Sequence, residues 1–109
     1  MRDAPSHVAF FGDGDREFRL TPELIVELER KTGAGIGALC KRLFAGQFAH
    51  ADVLETIRLG LIGGGEKPEV AASLIAAYAA PRPLIETYPL AVSVLEVAWF
   101  GHVQKEGGE

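Results

Sequence analysis

Three acidic residues near the start of the chain, Asp13, Asp15 and Glu17, stand in the order that opens an EF-hand calcium loop. Such a loop also needs a glycine at its sixth position and a bidentate glutamate at its twelfth. Those positions hold Phe18 and Leu24 here. We therefore interpret the acidic stretch as the turn of a hairpin, in which an Asp-Gly pair supplies the positive φ that tight turns require. We predict no metal site.

Two glycine-rich stretches, GAGIG at 33–37 and GGGEKP at 63–68, raise the question of a phosphate-binding loop. Neither matches G-x-x-x-x-G-K-[ST], and neither follows a predicted strand. We interpret both as connections between helices, where glycine ends one helix and lets the chain turn. We therefore predict no nucleotide or other cofactor.

Cys40 is the single cysteine and lies on the apolar stripe of a predicted helix, with Lys41 on a different face. A catalytic thiol needs a neighbour that lowers its pKa, so we predict a buried core cysteine. His7, His50 and His102 lack the spacing of a zinc motif. We expect a protein that is not an enzyme. A site assembled from distant groups, such as Cys40 with His50 or two carboxylates, stays as an alternative.

Length and composition favour one small domain. The chain has 109 residues, 48% of them hydrophobic, and a formal net charge of −4. We predict a single domain over 1–109, with an ordered core at about 7–101 and a polar tail at 102–109. A single cysteine fits a reducing compartment. The N-terminus has no signal-peptide pattern, and the longest apolar run, PLAVSVLEVAWF, is shorter than the roughly 20 residues that span a bilayer. We predict a soluble cytoplasmic protein with no membrane partner.

The hydrophobic periodicity predicts a mainly α (α+β) fold: a short N-terminal β-hairpin followed by about five α-helices packed as a small bundle. Thr21 and Pro22 predict the start of the first helix, and Gly33 its end. Glu27 stands four residues before Lys31, which favours a solvent-side ion pair. The predicted elements are strands at 7–12 and 16–20 and helices at 22–32, from 36 until Gly46, at 50–61, from 68 until Pro81, and at 84–100.

Nucleic-acid binding is disfavoured by the distribution of basic residues. Phosphate contacts require clustered Lys and Arg, whereas these residues are scattered along the chain. Consecutive short helices can imitate a helix-turn-helix, but the third predicted helix carries only Arg58. We therefore predict no nucleic-acid partner.

The last predicted helix is unusually apolar, since Ser93 and Glu96 are the only polar residues between 90 and 100. One interpretation is a central helix wrapped by the other four. The other is that part of it stays uncovered and binds a protein partner, with Trp99 and Phe100 as anchors. Leu95 and Val92 complete this predicted protein-binding site. Pro89 indicates either one helix with an irregular first turn or a later true start.

The order of these elements resembles a known family. The phrases that carry the resemblance are VAFFGDGDREFRLT, ELIVELERKTG, IGALCKRLFAGQF and ADVLETIRLGLIGGG. They are similar to a small family from the tail gene clusters of alphaproteobacterial gene transfer agents and related prophages, over about residues 7–101. Two features depart from the family pattern: Ala49-His50-Ala51 replaces a Ser or Thr cap before the third helix, and Pro89 lies in the last helix.

The resemblance implies a tail assembly chaperone, or under an older label a tail tube protein. Such a chaperone is expected to bind the tape measure protein, the tail tube protein or both, without catalysis, and it could form a homo-oligomer. The alternative is a structural tail component, tube or minor tail, that stays in the particle. The resemblance therefore implies a bacterial or prophage-encoded cytoplasmic protein that could also associate with a phage-like particle.

Overall fold

A computed structural model describes residues 4–101, and the predicted polar tail, with His102, lies outside the described residues. An antiparallel two-stranded hairpin is followed by five helices, which confirms the predicted fold class. In chain order the elements are β1 (Ser6–Phe11), β2 (Gly14–Arg19), α1 (Pro22–Thr32), α2 (Ile36–Phe44), α3 (His50–Gly63), α4 (Pro68–Tyr78) and α5 (Leu84–Phe100).

The hairpin closes with Phe11 opposite Gly14, so its turn has only two residues. The positive φ of this turn is at Gly12, at 72°, and not at Asp13. The predicted role of the Asp-Gly pair was wrong in this respect, because the first central residue is the one that needs glycine, as in a type II′ turn. For the same reason β2 begins at Gly14, two residues earlier than predicted.

The first helix begins and ends where the sequence predicts. The Thr21 hydroxyl accepts a hydrogen bond from the Leu24 amide at 3.3 Å, and Gly33 ends the helix with a φ of 74°. The predicted pairing of Glu27 differs, because its carboxylate accepts two hydrogen bonds from Arg30 and none from Lys31. The two-pronged guanidinium matches a carboxylate, which a lysine ammonium cannot do.

The centre of the fold is α3, which contacts β2, α1, α4 and α5. Two consecutive turns of α3 have no exposed apolar side chain, and Val53, Ile57 and Leu61 are fully buried. The central helix is therefore α3. The interpretation of the last helix as a central helix wrapped by the other four was wrong. The hydrophobic core includes buried residues of α3 and of the elements around it: Phe11, Phe18, Leu20, Leu28, Leu39, Cys40, Leu43, Val53, Ile57, Leu59, Leu61, Ala71, Leu74, Ile75, Ala79, Ala91, Val94 and Leu95.

The start of α3 is capped by its own third residue. The Asp52 carboxylate accepts a hydrogen bond from the Ala49 amide at 2.9 Å, so an orphan donor is satisfied without a Ser or Thr cap. The same carboxylate binds both arms of Arg42, each at 2.8 Å, and is 1% exposed. This partly buried ion pair joins the end of α2 to the start of α3, and the Asp52 cap compensates for the missing Ser or Thr noted in the sequence.

The end of α3 explains the three consecutive glycines. The helix runs through Gly63, two residues further than predicted. A Cβ atom built on Gly63 would overlap the carbonyl oxygen of Arg19, and one on Gly64 would overlap that of Glu17. The glycines therefore let α3 lie directly against the β2 backbone, a role beyond the helix ending that the sequence predicts.

Helix α5 is continuous across Pro89, so of the two interpretations of this proline the structure has the one with a single helix from Leu84 to Phe100. Tyr88 anchors it to the end of α2 and to the segment that follows α2. The Tyr88 hydroxyl donates to the Leu43 carbonyl at 2.5 Å, and its ring stacks on Phe48 with 4.6 Å between ring centroids. One face of α5 is buried, and both ends carry exposed apolar side chains.

Candidate functional site

The C-terminal end of α5 forms an apolar groove with α1 and α2. Two open hollows of about 320 Å³ each meet there, and Cys40 and Trp99 line both of them. Among the described residues that line these two hollows, Lys41 is the single charged one. We call this surface the α5 groove, and its walls are Ile25, Ile36, Gly37, Cys40, Lys41, Phe44, Ala98, Trp99 and Phe100.

Trp99 and Phe100, the predicted anchors, are 55% and 63% exposed at this groove. Phe44, on the neighbouring helix, is 39% exposed and extends the same apolar surface. The sequence does not single out Phe44, because it completes the apolar stripe of α2 and such a stripe usually packs into the core. The structure thus brings the two predicted aromatic residues together with a third from another helix.

The other two predicted residues are placed differently. Leu95 is fully buried and belongs to the core, so it cannot contact a partner directly. Its inclusion in the predicted site was wrong, because Leu95 lies one turn before Trp99 on the same side of α5, where the bundle still covers that side of the helix. Val92 is half-buried, two turns before Trp99 on the same side of α5. It does not line the α5 groove.

Cys40 lies in the floor shared by the two hollows and is 2% exposed. Burial raises the pKa of its thiol to about 11. The thiol is therefore protonated at neutral pH, and a protonated thiol is a poor nucleophile. This placement confirms the predicted buried core cysteine.

Several charged side chains of the described chain form ion pairs with one another. Arg16 joins the hairpin turn to the segment after α3, since it donates to Asp13 at 2.7 Å and to Glu66 at 2.5 Å. The hydrogen bond from Arg16 lowers the pKa of the Asp13 carboxyl. Within residues 4–101, no three His, Cys, Asp or Glu side chains are grouped closely enough to hold a metal ion.

A second groove lies at the other end of α5, against β1. Its volume is about 540 Å³, and the Thr87 hydroxyl in its wall is buried without a hydrogen-bond partner among the described residues. Arg82 and Glu86 pair across part of its rim at 2.8 Å. We call it the edge groove, and its walls are His7, Ala9, Phe10, Phe11, Gly12, Tyr78, Arg82, Glu86, Thr87, Pro89, Leu90 and Ser93.

No helix in the described part of the chain is long and apolar enough to cross a membrane. No curated protein and no solved structure gives a significant match to the chain. A comparison with protein families matches residues 4–101 to the family described as "Phage tail tube protein, GTA-gp10". The match covers both strands and all five helices. The chain therefore belongs to the GTA-gp10 phage tail tube protein family, a gene transfer agent and phage tail family.

Proposed function

We propose that the protein is a tail assembly chaperone that binds the tape measure protein by contact alone, in the bacterial cytoplasm, while the tail is built. The observation that carries this proposal is the α5 groove with its two exposed aromatic residues. Trp99 and Phe100 stand side by side at the end of a helix whose inner face is already buried. A continuous apolar surface on a small domain is typical of a protein-binding site.

The shape of the groove favours a helical partner. Three helices, α1, α2 and α5, contribute its walls, and an amphipathic helix binds such a groove through residues spaced three and four apart. Lys41 at the wall favours a partner helix with acidic residues beside its apolar face. Burial of about 1,000 Å² in total would give moderate affinity, which suits a protein that must later release its partner.

The chemistry of the described residues supports a non-catalytic role. The thiol of Cys40 is protonated, and the buried carboxylate of Asp52 is held by Arg42. A chaperone that works by burial needs no reacting group, because covering apolar surface is itself favourable in water. Release then requires only that tail tube subunits bind the tape measure protein more favourably than this domain does.

The test is co-expression of the protein with the tape measure protein encoded beside it, followed by purification of the complex. Trp99→Asp should weaken binding by at least about 30-fold, because it puts a charge into the centre of an apolar contact. Val26→Asp is the matched control, since Val26 is 63% exposed on α1 but does not line the groove. Unchanged binding by Trp99→Asp with native circular dichroism would contradict the proposed surface. Loss of folding would show that Trp99 has a core role.

A second candidate function is a structural component that stays in the finished tail, and the family description favours it. Against it, the described chain contributes only a two-stranded sheet, whereas a tube subunit is expected to supply a larger one to its ring. Quantitative mass spectrometry of purified particles separates the two functions. A chaperone should be absent or scarce, and a tube subunit should be present in many copies.

A further inference from the structure

We propose that a second copy of the protein pairs with β1 edge to edge, so that two hairpins form one four-stranded antiparallel sheet about a twofold axis. This inference does not depend on the proposed function. It starts from the backbone of β1. Phe11 and Gly14 flank the two-residue turn, so alternate residues of β1, including Val8 and Phe10, direct their backbone groups away from β2. In the part of the chain that the structure describes, no other strand pairs with that edge.

The β1 edge lacks the features that usually prevent pairing. Edge strands are commonly protected by charged residues, proline, a bulge or extreme shortness. β1 has six residues, SHVAFF, without charge or proline, and its register with β2 is uninterrupted. β2 has the same length but four charged residues. Although the chain carries a net charge of −4, two β1 strands can therefore approach each other without repulsion between like charges.

In one antiparallel register, the residues of β1 form favourable cross-strand pairs with those of β1 in a second copy. With Ala9 opposite the partner's Ala9, Val8 lies opposite the partner's Phe10, and the reverse pair is equivalent by symmetry. Val8 and Phe10 both direct their backbone groups outward, so each such pair can exchange two hydrogen bonds. Aromatic with β-branched is also a favourable cross-strand pair. This register pairs residues 7–11 and leaves Pro5 outside the ladder, where its missing amide costs nothing.

The area available fits a weak, closed dimer. Three large apolar residues are exposed on β1 or in the wall of the edge groove: Val8 at 62%, Phe10 at 69% and Tyr78 at 39%. Covering them in both copies, together with the backbone of β1, would bury on the order of 1,000 Å², which is the low end for a specific interface. We therefore expect a dissociation constant on the order of micromolar, with backbone hydrogen bonds fixing the geometry. A twofold contact between like surfaces closes on itself, so the assembly stops at two.

The dimer would leave both α5 grooves open. The edge groove contains α5 residues from Glu86 to Ser93, and the α5 groove contains Ala98 to Phe100. A helix of 17 residues is about 25 Å long, so the two surfaces lie towards opposite ends of α5. Two linked grooves would hold two segments of one long partner with a higher avidity than either groove alone.

The decisive experiment is a cysteine cross-link in a Cys40→Ala background. Ala9 and the partner's Ala9 form a non-hydrogen-bonded pair, whose Cβ atoms are about 4.5–5.5 Å apart, close enough for a disulfide after a small shift. Ala9→Cys should give a nearly complete disulfide dimer on mild oxidation. Val26→Cys, more exposed but remote from β1, should remain monomeric at the same concentration. Equal cross-linking of both variants, or none in either, would overturn the proposal.

Light scattering provides the second measurement. The wild-type mass should approach that of a dimer at about 200 μM and fall about midway between monomer and dimer at about 1 μM, as a dissociation constant on the order of micromolar requires. Phe10→Lys should be monomeric throughout, with unchanged circular dichroism. A wild-type protein that stays monomeric at the higher concentration would overturn the proposal. If such a monomer bound purified tail tube subunits and Phe10→Lys did not, the edge would belong to that partner instead of a second copy.

Discussion

The two edges of the hairpin have the same length and opposite surroundings. On the β2 edge, the carbonyl oxygens of Glu17 and Arg19 lie against Gly64 and Gly63 at the end of α3. On the β1 edge, an open groove of about 540 Å³ lies between the strand and α5. The covered edge fixes the hairpin to the central helix, so the fold does not require a further strand at the other edge, where none pairs among residues 4–101.

The comparison also shows how a marginal element is stabilised. A two-stranded hairpin alone is barely stable in water, so its order must come from packing. Here that packing has two parts. The β2 backbone lies against α3, and the inward-facing rings of Phe11 and Phe18 pack edge to face with 6.0 Å between their centroids. The outward side chains Val8 and Phe10 contribute little, because they stay exposed.

The largest expected effect comes from closing the space between α3 and β2. Gly63→Ala should destabilise the protein by more than about 4 kcal/mol, because the new methyl overlaps backbone atoms of Arg19 that cannot move independently. Gly37→Ala is the matched control, also within a helix and with no atom within 4 Å of the added carbon. It should be neutral or stabilising by about 0.5–1 kcal/mol. Urea denaturation measures both, and a mild effect of Gly63→Ala would show that this edge is not closely packed.

The next largest effect is the difference in stability loss between a buried ring on the inner face of the hairpin and an exposed ring on its outer face. Phe18→Ala should cost about 3–4 kcal/mol, since the ring is 1% exposed and its loss leaves a cavity in the core. Phe10→Ala should cost less than about 1 kcal/mol at protein concentrations too low for self-association, because the ring is 69% exposed. Thermal denaturation of the two variants side by side is sufficient. Similar losses would mean that the outer face of β1 is covered within the monomer.

The smallest effect concerns the open side of the hairpin. Thr87→Val replaces the buried hydroxyl of the edge groove by a methyl group of similar size. It should stabilise the protein by about 1 kcal/mol, because a buried hydroxyl without a hydrogen bond carries an uncompensated desolvation cost. The free energy of unfolding from urea titration is the measurement. A loss of stability would show that the hydroxyl has a partner, such as a bound water.

Much of the fold could be predicted from local patterns. Thr21, Pro22 and Gly33 set the limits of α1, because capping and backbone preferences act over a few residues. The apolar stripe on α2 correctly placed Cys40 in the core. The predicted pair of Glu27 with Lys31 was wrong, because the carboxylate bonds to Arg30 instead. Both cations have a suitable spacing on the helix, and spacing alone does not decide between them.

The candidate site was predictable only in part. The apolar character of the last helix pointed to Trp99 and Phe100, and both are exposed. It could not distinguish them from Leu95, which is equally apolar but buried. Phe44 was missed for the converse reason, since a residue on an apolar stripe is exposed only if no other element covers it. The functional meaning of this surface remains the proposal tested by Trp99→Asp.

The sequence by itself determined the order of the elements, their approximate limits and the family, because each of these depends on short-range patterns or on similarity along the chain. Tertiary structure decided that α3 and not α5 is central, that Gly63 and Gly64 serve a backbone contact with β2, and that no third strand within residues 4–101 joins the sheet beside β1. The physical reason is the same in all three cases. Burial depends on which surfaces meet in space, and two surfaces that are equally apolar in sequence differ only in what covers them.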